Sequence, residues 1–390
     1  MGKGGKYLKK NVPVAAGKKK KKSKVKKVLL VILVVVLLIL AIAVGFGVWY
    51  YNYLINLVSR PDDYVPVNTT PSISAEATQP TEAQTLPEET TVGTTSPEDT
   101  WPEIISDENI TNIMLVGQAA REGEEGRIAD TMILCSINRE TKTLTMTSLM
   151  RDLRLTWPRY VDVNGQPHTG FNRINMAYNM GYRWDGNPQG GMNVLASIVE
   201  YNFGVPVHNT VEVNFDVFQQ VMELLGGVDL ELSEAEVKYL QDNYPASITG
   251  KSLKPGMNHL SPYLTLGYAR MRKVGDGDFE RTERQRKVIT LLLEKLKGMN
   301  ILEVNELFKT VLPMITTDMT NKEITNYAFE FIPMLKDLKI QSQRIPFDGT
   351  YWPVVVNIPG QATPDNQIDC NVEKNGEMLR ESIGMTEPVE

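Results

Sequence analysis

Asn112–Gly117 reads NIMLVG, Thr131–Ile137 reads TMILCSI, and Thr143–Leu149 reads TLTMTSL. The first two are apolar runs of strand length, too short for free-standing helices, and read as buried strands. The third follows the second after the polar stretch NRETK, so these two predict an antiparallel hairpin. Further along, Val194, Leu195, Ile198, Val199 and Phe203 recur at helical spacing, which predicts an amphipathic helix over Asn193–Phe203. Thr210–Phe215 reads as a strand. Asp216 is placed to cap a helix over Val217–Leu225 that Gly226-Gly227 would end. Asp229–Leu232 is a short strand, after which Ser233 starts another helix. Glu280–Leu296, Leu302–Met314 and Lys322–Leu338 are helical in pattern, and Lys339–Pro346 is the expected final strand. Strands and helices alternate irregularly. The class is therefore α/β, a mixed central sheet covered by helices, expected as an α/β/α sandwich over residues 109–360 with a tail over 361–390.

The chain before this domain is of a different kind. Val28–Tyr50 is a 23-residue run without a charge. As a helix it would be roughly 35 Å long, enough to cross a hydrocarbon core of about 30 Å. Trp49, Tyr50, Tyr51 and Tyr53 stand at its far end, as interfacial aromatics do. A cleaved signal peptide would have an apolar region of about 7–15 residues followed by a small-x-small site, and neither is present. Residues 1–27 hold twelve Lys and no Asp, Glu or Arg. By the positive-inside rule they stay in the cytoplasm and the rest is exported. The lysines would also attract anionic membrane lipid. Residues 51–108, rich in Thr, Pro, Glu and Ser, are expected to be a disordered extracytoplasmic linker.

Composition excludes several functions. The net charge is -6, and setting aside the twelve lysines leaves -18 on the other 363 residues. A body this acidic argues against nucleic-acid binding, which needs a basic surface. Two cysteines exclude a disulfide scaffold and a zinc site of four cysteines. His168, His208 and His259 are far apart, without the HExxH spacing. No GxxxxGK[ST] stretch occurs, and Ser148 has no histidine near it. Cys135 lies mid-strand, where an inert buried thiol is the default. Whether it pairs with Cys370 stays open.

Within the acidic body, arginines gather in four places: Met150-Arg151-Asp152, Asn172-Arg173, Tyr268-Ala269-Arg270-Met271-Arg272 and Gly277–Arg286 (GDFERTERQR). In extended chain Arg270 and Arg272 would point the same way. On the long helix Arg281, Arg284 and Gln285 fall on one stripe, with Val288, Ile289, Leu292 and Leu296 as its apolar anchor. Cations near a helix N-terminus oppose the macrodipole, a conflict that an anionic ligand would resolve. Arginine suits such a ligand because its planar fork binds phosphate oxygens in pairs. The alternative is a set of surface salt bridges with Asp278, Glu280 and Glu283. Asp130, at the start of the second strand, is either a loop cap or a ligand for a hard cation such as Mg2+.

At these residues the chain resembles the LytR-CpsA-Psr family of cell-envelope proteins. The resemblance is carried by NIMLVG, ADTMILCSINRETKTLTMTSLMRD, NRINMAYNMG, VEVNFDVFQQVMELLGGVDLEL and YLTLGYARMRKVGDGDFERTERQRKVITLLLEKL, in that order. It implies an α/β/α domain with an apolar slot for a lipid tail. It implies a membrane-anchored phosphotransferase that moves a glycopolymer, such as wall teichoic acid or capsule, from a polyprenyl-pyrophosphate carrier onto peptidoglycan through a phosphodiester. Mapped by position, Arg151, Arg173, Arg270, Arg272, Arg281 and Gln285 resemble the pyrophosphate-binding residues, and Asp130 resembles a Mg2+-binding aspartate. Asp278 is similar to a nearby acidic residue, and Asp278 and Asp152 are the candidates to take the acceptor's proton. One departure stands out: the family's aspartate after the first strand is Ala119 here, which puts metal dependence in doubt. Met150 replaces a proline common before the Arg-Asp pair. The alternative is a non-catalytic lipid-pyrophosphate binder that regulates the envelope.

Overall fold

The structure, a computed structural model, describes residues 101–118, 128–245, 253–357 and 364–385, together with Asn52, Tyr53 and Asn56. The expected membrane helix over 28–50, the Lys-rich head, nearly all of the linker and Ala119 lie outside the described residues. Among the described residues no helix is long and apolar enough to cross a membrane.

The three apolar runs form β1 (Ile110–Gln118), β2 (Ala129–Asn138) and β3 (Thr143–Leu149). β2 and β3 are the expected antiparallel hairpin, with Leu134 opposite Thr147, and β1 pairs antiparallel with β2. β6 (Asn209–Val213) then joins β1 in parallel, β9 (Thr316–Thr317) closes that edge antiparallel, and β10 (Lys339–Ile345) joins β3 in parallel. The order is β10-β3-β2-β1-β6-β9, a mixed sheet.

Side-chain alternation feeds both faces of this sheet. Met132 and Leu134 enter a core with α1 (Ala177–Asp185), α2 (Pro188–Phe203) and α9 (Val372–Ile383). Ile133, Cys135 and Ile137 face the other way, toward Ile289 and Leu293 of α6 (Asp278–Gly298). Helices therefore cover both faces. α2 starts on Asn187, whose side chain accepts from the Gly190 amide, and ends on Gly204 at φ 66°. α1 and α2 touch at glycines: a Cβ on Gly181 would sit 2.2 Å from the Gly190 carbonyl oxygen, so neither position admits a side chain.

Three other helices follow β6 in the chain: α3 (Phe215–Leu225), α4 (Glu234–Asn243) and α5 (Pro262–Ala269). They pack with the hairpin of β7 (Val228–Leu232) and β8 (Gly256–Leu260) into a second core around Leu230, Leu240 and Leu264. Asn214 caps α3, where Asp216 was expected to; Asp216 sits in the first turn, and the chain leaves β6 early enough for Asn214 to accept from Val217 N. α7 (Ile301–Val311) and α8 (Asn321–Met334) each begin in a reciprocal side-chain cap, through Asn300 with Glu303 and Thr320 with Glu323.

Two parts of the domain were not read from the sequence. β4 (Arg154–Val161) and β5 (Pro167–Arg173) form a polar hairpin after β3. β10 is not the final strand, and the domain does not end near residue 360. β11 (Tyr351–Val356), β12 (Asp365–Cys370) and α9 follow. Leu379 and Ile383 of α9 are buried in the main core, so the expected tail is structural.

Candidate functional site

β3 runs out into a turn that presents Arg151 and Asp152, and β5 ends on Arg173, so both arginines arrive at the same end of the sheet. Asp130 is the second residue of β2. Arg281 lies in the first turn of α6 with Asp278, whose carboxylate offsets the unfavourable meeting of a cation with the helix dipole. Arg270 is the C-cap of α5 with φ -95° and ψ -4°, so the Arg270–Arg272 stretch is not extended; Arg270 and Arg272 still line the same cavity.

Except for Arg270, these residues form one chain of ion pairs in the contacts that follow. Asp130 Oδ1 stands 3.3 Å from Arg151 Nη1 and 3.3 Å from Arg272 Nη2. Arg281 Nη2 donates to the Asp130 carbonyl at 3.3 Å. Asp278 meets Arg272 Nε at 3.5 Å, Arg281 Nη1 at 3.3 Å and Arg151 Nε in ion-pair contact without hydrogen-bond alignment. Asp152 bridges Arg151 at 3.3 Å and Arg173 at 3.5 Å, and Arg173 reaches on to Asp365 at 3.1 Å. Asp365 belongs to β12, in the segment expected to be tail. No sequence signal marked it, because its partner Arg173 is 192 residues away.

Burial tunes the charges. It pulls the Arg281 guanidinium down to about 10, with Asp278 opposing and Arg272 and Arg151 reinforcing the shift. Burial also lowers Arg151, but Asp152, Asp278 and Asp130 outweigh it and hold that guanidinium above its ordinary value. Burial raises the Asp152 carboxyl above the ordinary range, assisted by Asp278 and opposed by Arg151 and Arg173.

Arg272 and Arg281 stand at one end of a cavity of about 460 Å3. Its far walls are apolar, with Leu115 of β1, Val217 and Val221 of α3, Leu266 of α5 and Ile289 and Leu292 of α6. Gly117 forms part of the wall, where a Cβ would sit 2.9 Å from Thr131 Cβ. Gln285 and Gln118 also line the cavity. Gln285 Oε1 and Gln118 Nε2 are buried without a hydrogen-bond partner, and so is Arg281 Nε. Buried polar atoms are rarely left so, and these mark where a polar ligand would bond. Gln118 carried no signal in the sequence beyond standing before Ala119.

Arg284 departs from the expected stripe. It is buried outside the cavity, bound to Glu236 Oε1 at 2.9 Å, Glu280 Oε2 at 2.7 Å and the Met271 and Val274 carbonyls. It fastens α4 and the Arg272 loop to α6. The cysteines are both free. They pack in cores on opposite faces of the sheet, and burial pushes the Cys135 thiol up to about 12.

Among the described residues no three His, Cys, Asp or Glu side chains converge as a metal would need. Asp130 already faces two guanidiniums. The described residues alone do not fit a resident Mg2+.

The model of the LytR_cpsA_psr family matches residues 69–369. The chain belongs to this family. Among similar proteins is the polyisoprenyl-teichoic acid–peptidoglycan teichoic acid transferase TagU of Oceanobacillus iheyensis, 31% identical over 232 residues, which are 58% of this chain and 65% of that one. The protein of the same name from Bacillus subtilis is 28% identical over 248 residues, 62% of this chain and 71% of that one. The chain thus spans just under two thirds of the first of these relatives. A solved structure described as TagT bound to LIIa-WTA superposes with a TM-score of 0.51 at 22% identity, covering 71% of this chain and 92% of that one, a likeness of fold.

Proposed function

We propose that this protein is a phosphotransferase that moves a glycopolymer from a polyprenyl-pyrophosphate carrier onto peptidoglycan. The carrying observation is the cavity: an apolar slot closed at one end by arginines, with unpartnered buried polar atoms at the junction. That is the shape of a ligand with a hydrocarbon tail and a polyanionic head. The names of the relatives TagU, both transferases of polyisoprenyl-linked teichoic acid to peptidoglycan, support the same class.

In this reading the prenyl chain lies in the slot, and the pyrophosphate displaces aspartates from Arg151, Arg272 and Arg281 and also meets Arg270 and Gln285. An acceptor hydroxyl attacks the sugar-bearing phosphorus. A new P–O bond forms, the bond to the lipid phosphate breaks, and lipid monophosphate leaves with its charge held by the arginines. No ATP is consumed. Between the two candidate bases the geometry favours Asp152. Asp278 faces three guanidiniums, Arg151, Arg272 and Arg281, whereas Asp152 faces two, and its raised carboxyl is a better proton acceptor than an ordinary one. Mg2+ enters the proposal only as a companion of the pyrophosphate, with Asp130 as its one protein carboxylate. The proposal includes an anchor at residues 28–50 and an extracytoplasmic domain.

The test is a defined lipid-pyrophosphate glycan incubated with peptidoglycan oligomers and scored by mass spectrometry. Transfer in the native protein, lost in Arg272→Ala and Asp152→Asn, is expected. Lipid-pyrophosphate binding without any transfer would instead make the protein the non-catalytic binder.

A further inference from the structure

The β4–β5 and β11–β12 ribbons meet edge to edge. Leu153, just before β4, makes a parallel bridge to Ile368, and Ile368 N donates to the Asp152 carbonyl at 2.9 Å. The inward residues Leu153, Leu155 and Ile368 pack in the main core. Their neighbours therefore face outward. Arg154 pairs across with Arg173, and Trp352 with Asp369. Arg154 Nε stands 3.4 Å from Asp369 Oδ1, which ties the two ribbons on that outer face. Phe171, two residues before Arg173, shares the face. Asp365 lies further along β12, paired with Arg173, and Gln367 beside it is buried and bonded to it at 2.8 Å.

Phe171 is 51% exposed and Trp352 49% exposed. The Arg154 guanidinium stacks on one side of the Phe171 ring at 4.4 Å and holds it in place. The two rings stand on the outermost strands, three strand spacings or roughly 14 Å apart. Between them lie Arg154 and Asp369, fixed by their ion pair. Flat rings with donors and acceptors between them match a saccharide chain, whose pyranose rings have an apolar C–H face and a hydroxyl rim. The span fits an oligosaccharide better than one sugar.

We propose that this outer face is a subsite for the glycan strand of the acceptor, and that it delivers the acceptor hydroxyl to Asp152. The inference rests on the transferase reading above. Its place in the fold argues for acceptor over donor. The face joins the phosphate cluster through Arg173 and Asp152, beyond Arg151 and Asp278 from the apolar slot. In-line displacement needs the incoming oxygen on the side of phosphorus away from the departing lipid phosphate.

The test uses the full-length protein with a GlcNAc–MurNAc tetrasaccharide in titration calorimetry, beside lipid-pyrophosphate binding and transfer kinetics. Trp352→Ala and Phe171→Ala are at exposed positions, and unchanged lipid-pyrophosphate binding checks that each variant stays folded. Each should weaken tetrasaccharide binding about tenfold and raise KM for the acceptor, with kcat at saturation and KM for the lipid donor unchanged. Asp369→Asn should weaken tetrasaccharide binding as well. Unchanged tetrasaccharide affinity in both aromatic variants overturns the subsite. A rise in KM for the donor alone overturns the assignment to the acceptor, and the face is then a donor-sugar site. The calorimetry needs no turnover, so loss of the transferase reading and loss of this one are told apart.

Discussion

Removing Arg281 should stabilise the substrate-free protein while abolishing tight ligand binding. Its side chain is almost wholly buried, 3% exposed, and its Nε has no partner. Burial lowers its pKa from 12.5 to about 10. For a base with a depressed folded pKa, the cost of the charge is fully present below pH 10 and fades as pH rises from there toward 12.5. The difference corresponds to about 3 kcal/mol against folding at neutral pH, already net of the attraction to Asp278. Arg281→Met keeps an apolar stem and discards the charge. What is still to be subtracted is the bond from Arg281 Nη2 to the Asp130 carbonyl, at 3.3 Å at the low end for a charged hydrogen bond, about 1.5 kcal/mol. The balance is a gain of about 1–2 kcal/mol, where breaking a buried ion pair ordinarily costs about 3–5 kcal/mol. Urea unfolding followed by tryptophan fluorescence measures it. The native protein should gain about 2.7 kcal/mol with lipid pyrophosphate at a hundredfold excess over Kd. The variant's affinity should fall roughly ten- to a hundredfold. A variant less stable than native by 3 kcal/mol or more, with unaltered ligand affinity, would show that Arg281 is a structural ion pair and that the cavity is not its reason.

The transfer rate should fall on the acid side through a pKa above the ordinary carboxylate range, because Asp152 must be ionised to accept a proton and burial raises its carboxyl; Asp152→Asn should remove that limb together with most of the rate. Mg2+ titrated into the substrate-free protein should give no saturable heat, and Ala119→Asp, which restores the aspartate of the family pattern, should create it; saturable binding to the native protein would count against this. Glu200 is held near 7 by burial, opposed by its bond from Val207 N at 2.9 Å. Its folded pKa is raised, so its stabilising contribution is present below about pH 4.5 and is lost as pH rises through 7; Glu200→Gln should flatten the unfolding free energy between pH 5 and 7, and an unchanged slope would exclude Glu200 as its source.

What was legible in the sequence follows from range. β1, β2 and β3 carry their own burial pattern, and the hairpin needs only the short turn between them, so both were read correctly. α6 was legible because Val288, Ile289 and Leu292 repeat at helical spacing. Arg151, Arg173, Arg272 and Arg281 were marked as a set because they stand out in an acidic body. The hairpin of β4 and β5 was not, since its outer face is polar and charged, with Arg154 and Arg173 where a strand pattern expects β-branched residues. β12 and α9 were missed for a related reason: Asp365 and Asp369 look like tail residues until Arg173 and Arg154, about two hundred positions earlier, come to meet them. Arg284 was grouped with the cavity arginines because spacing fixes the stripe of a helix only to within a quarter turn, and Glu236 on another helix draws it away.

The aspartates explain how so much positive charge stays folded without a ligand. Arg151, Arg173, Arg272 and Arg281 would repel one another across a half-buried site, and Asp130, Asp152, Asp278 and Asp365 alternate with them. Most of these contacts are 3.3–3.5 Å long rather than the 2.7–2.9 Å of well-formed charged hydrogen bonds. Such pairs satisfy the charges but hold them loosely. A ligand with one negative charge gains little by replacing an aspartate that already supplies one. A pyrophosphate brings several charged oxygens at once and can exchange with more than one aspartate in a single event, and the unpartnered donors Gln118 Nε2 and Arg281 Nε can be satisfied as well. In the proposed reaction the same exchange would release Asp152 from Arg151 as the phosphates take that guanidinium over, so that binding of the donor would prepare the group proposed to receive the acceptor's proton.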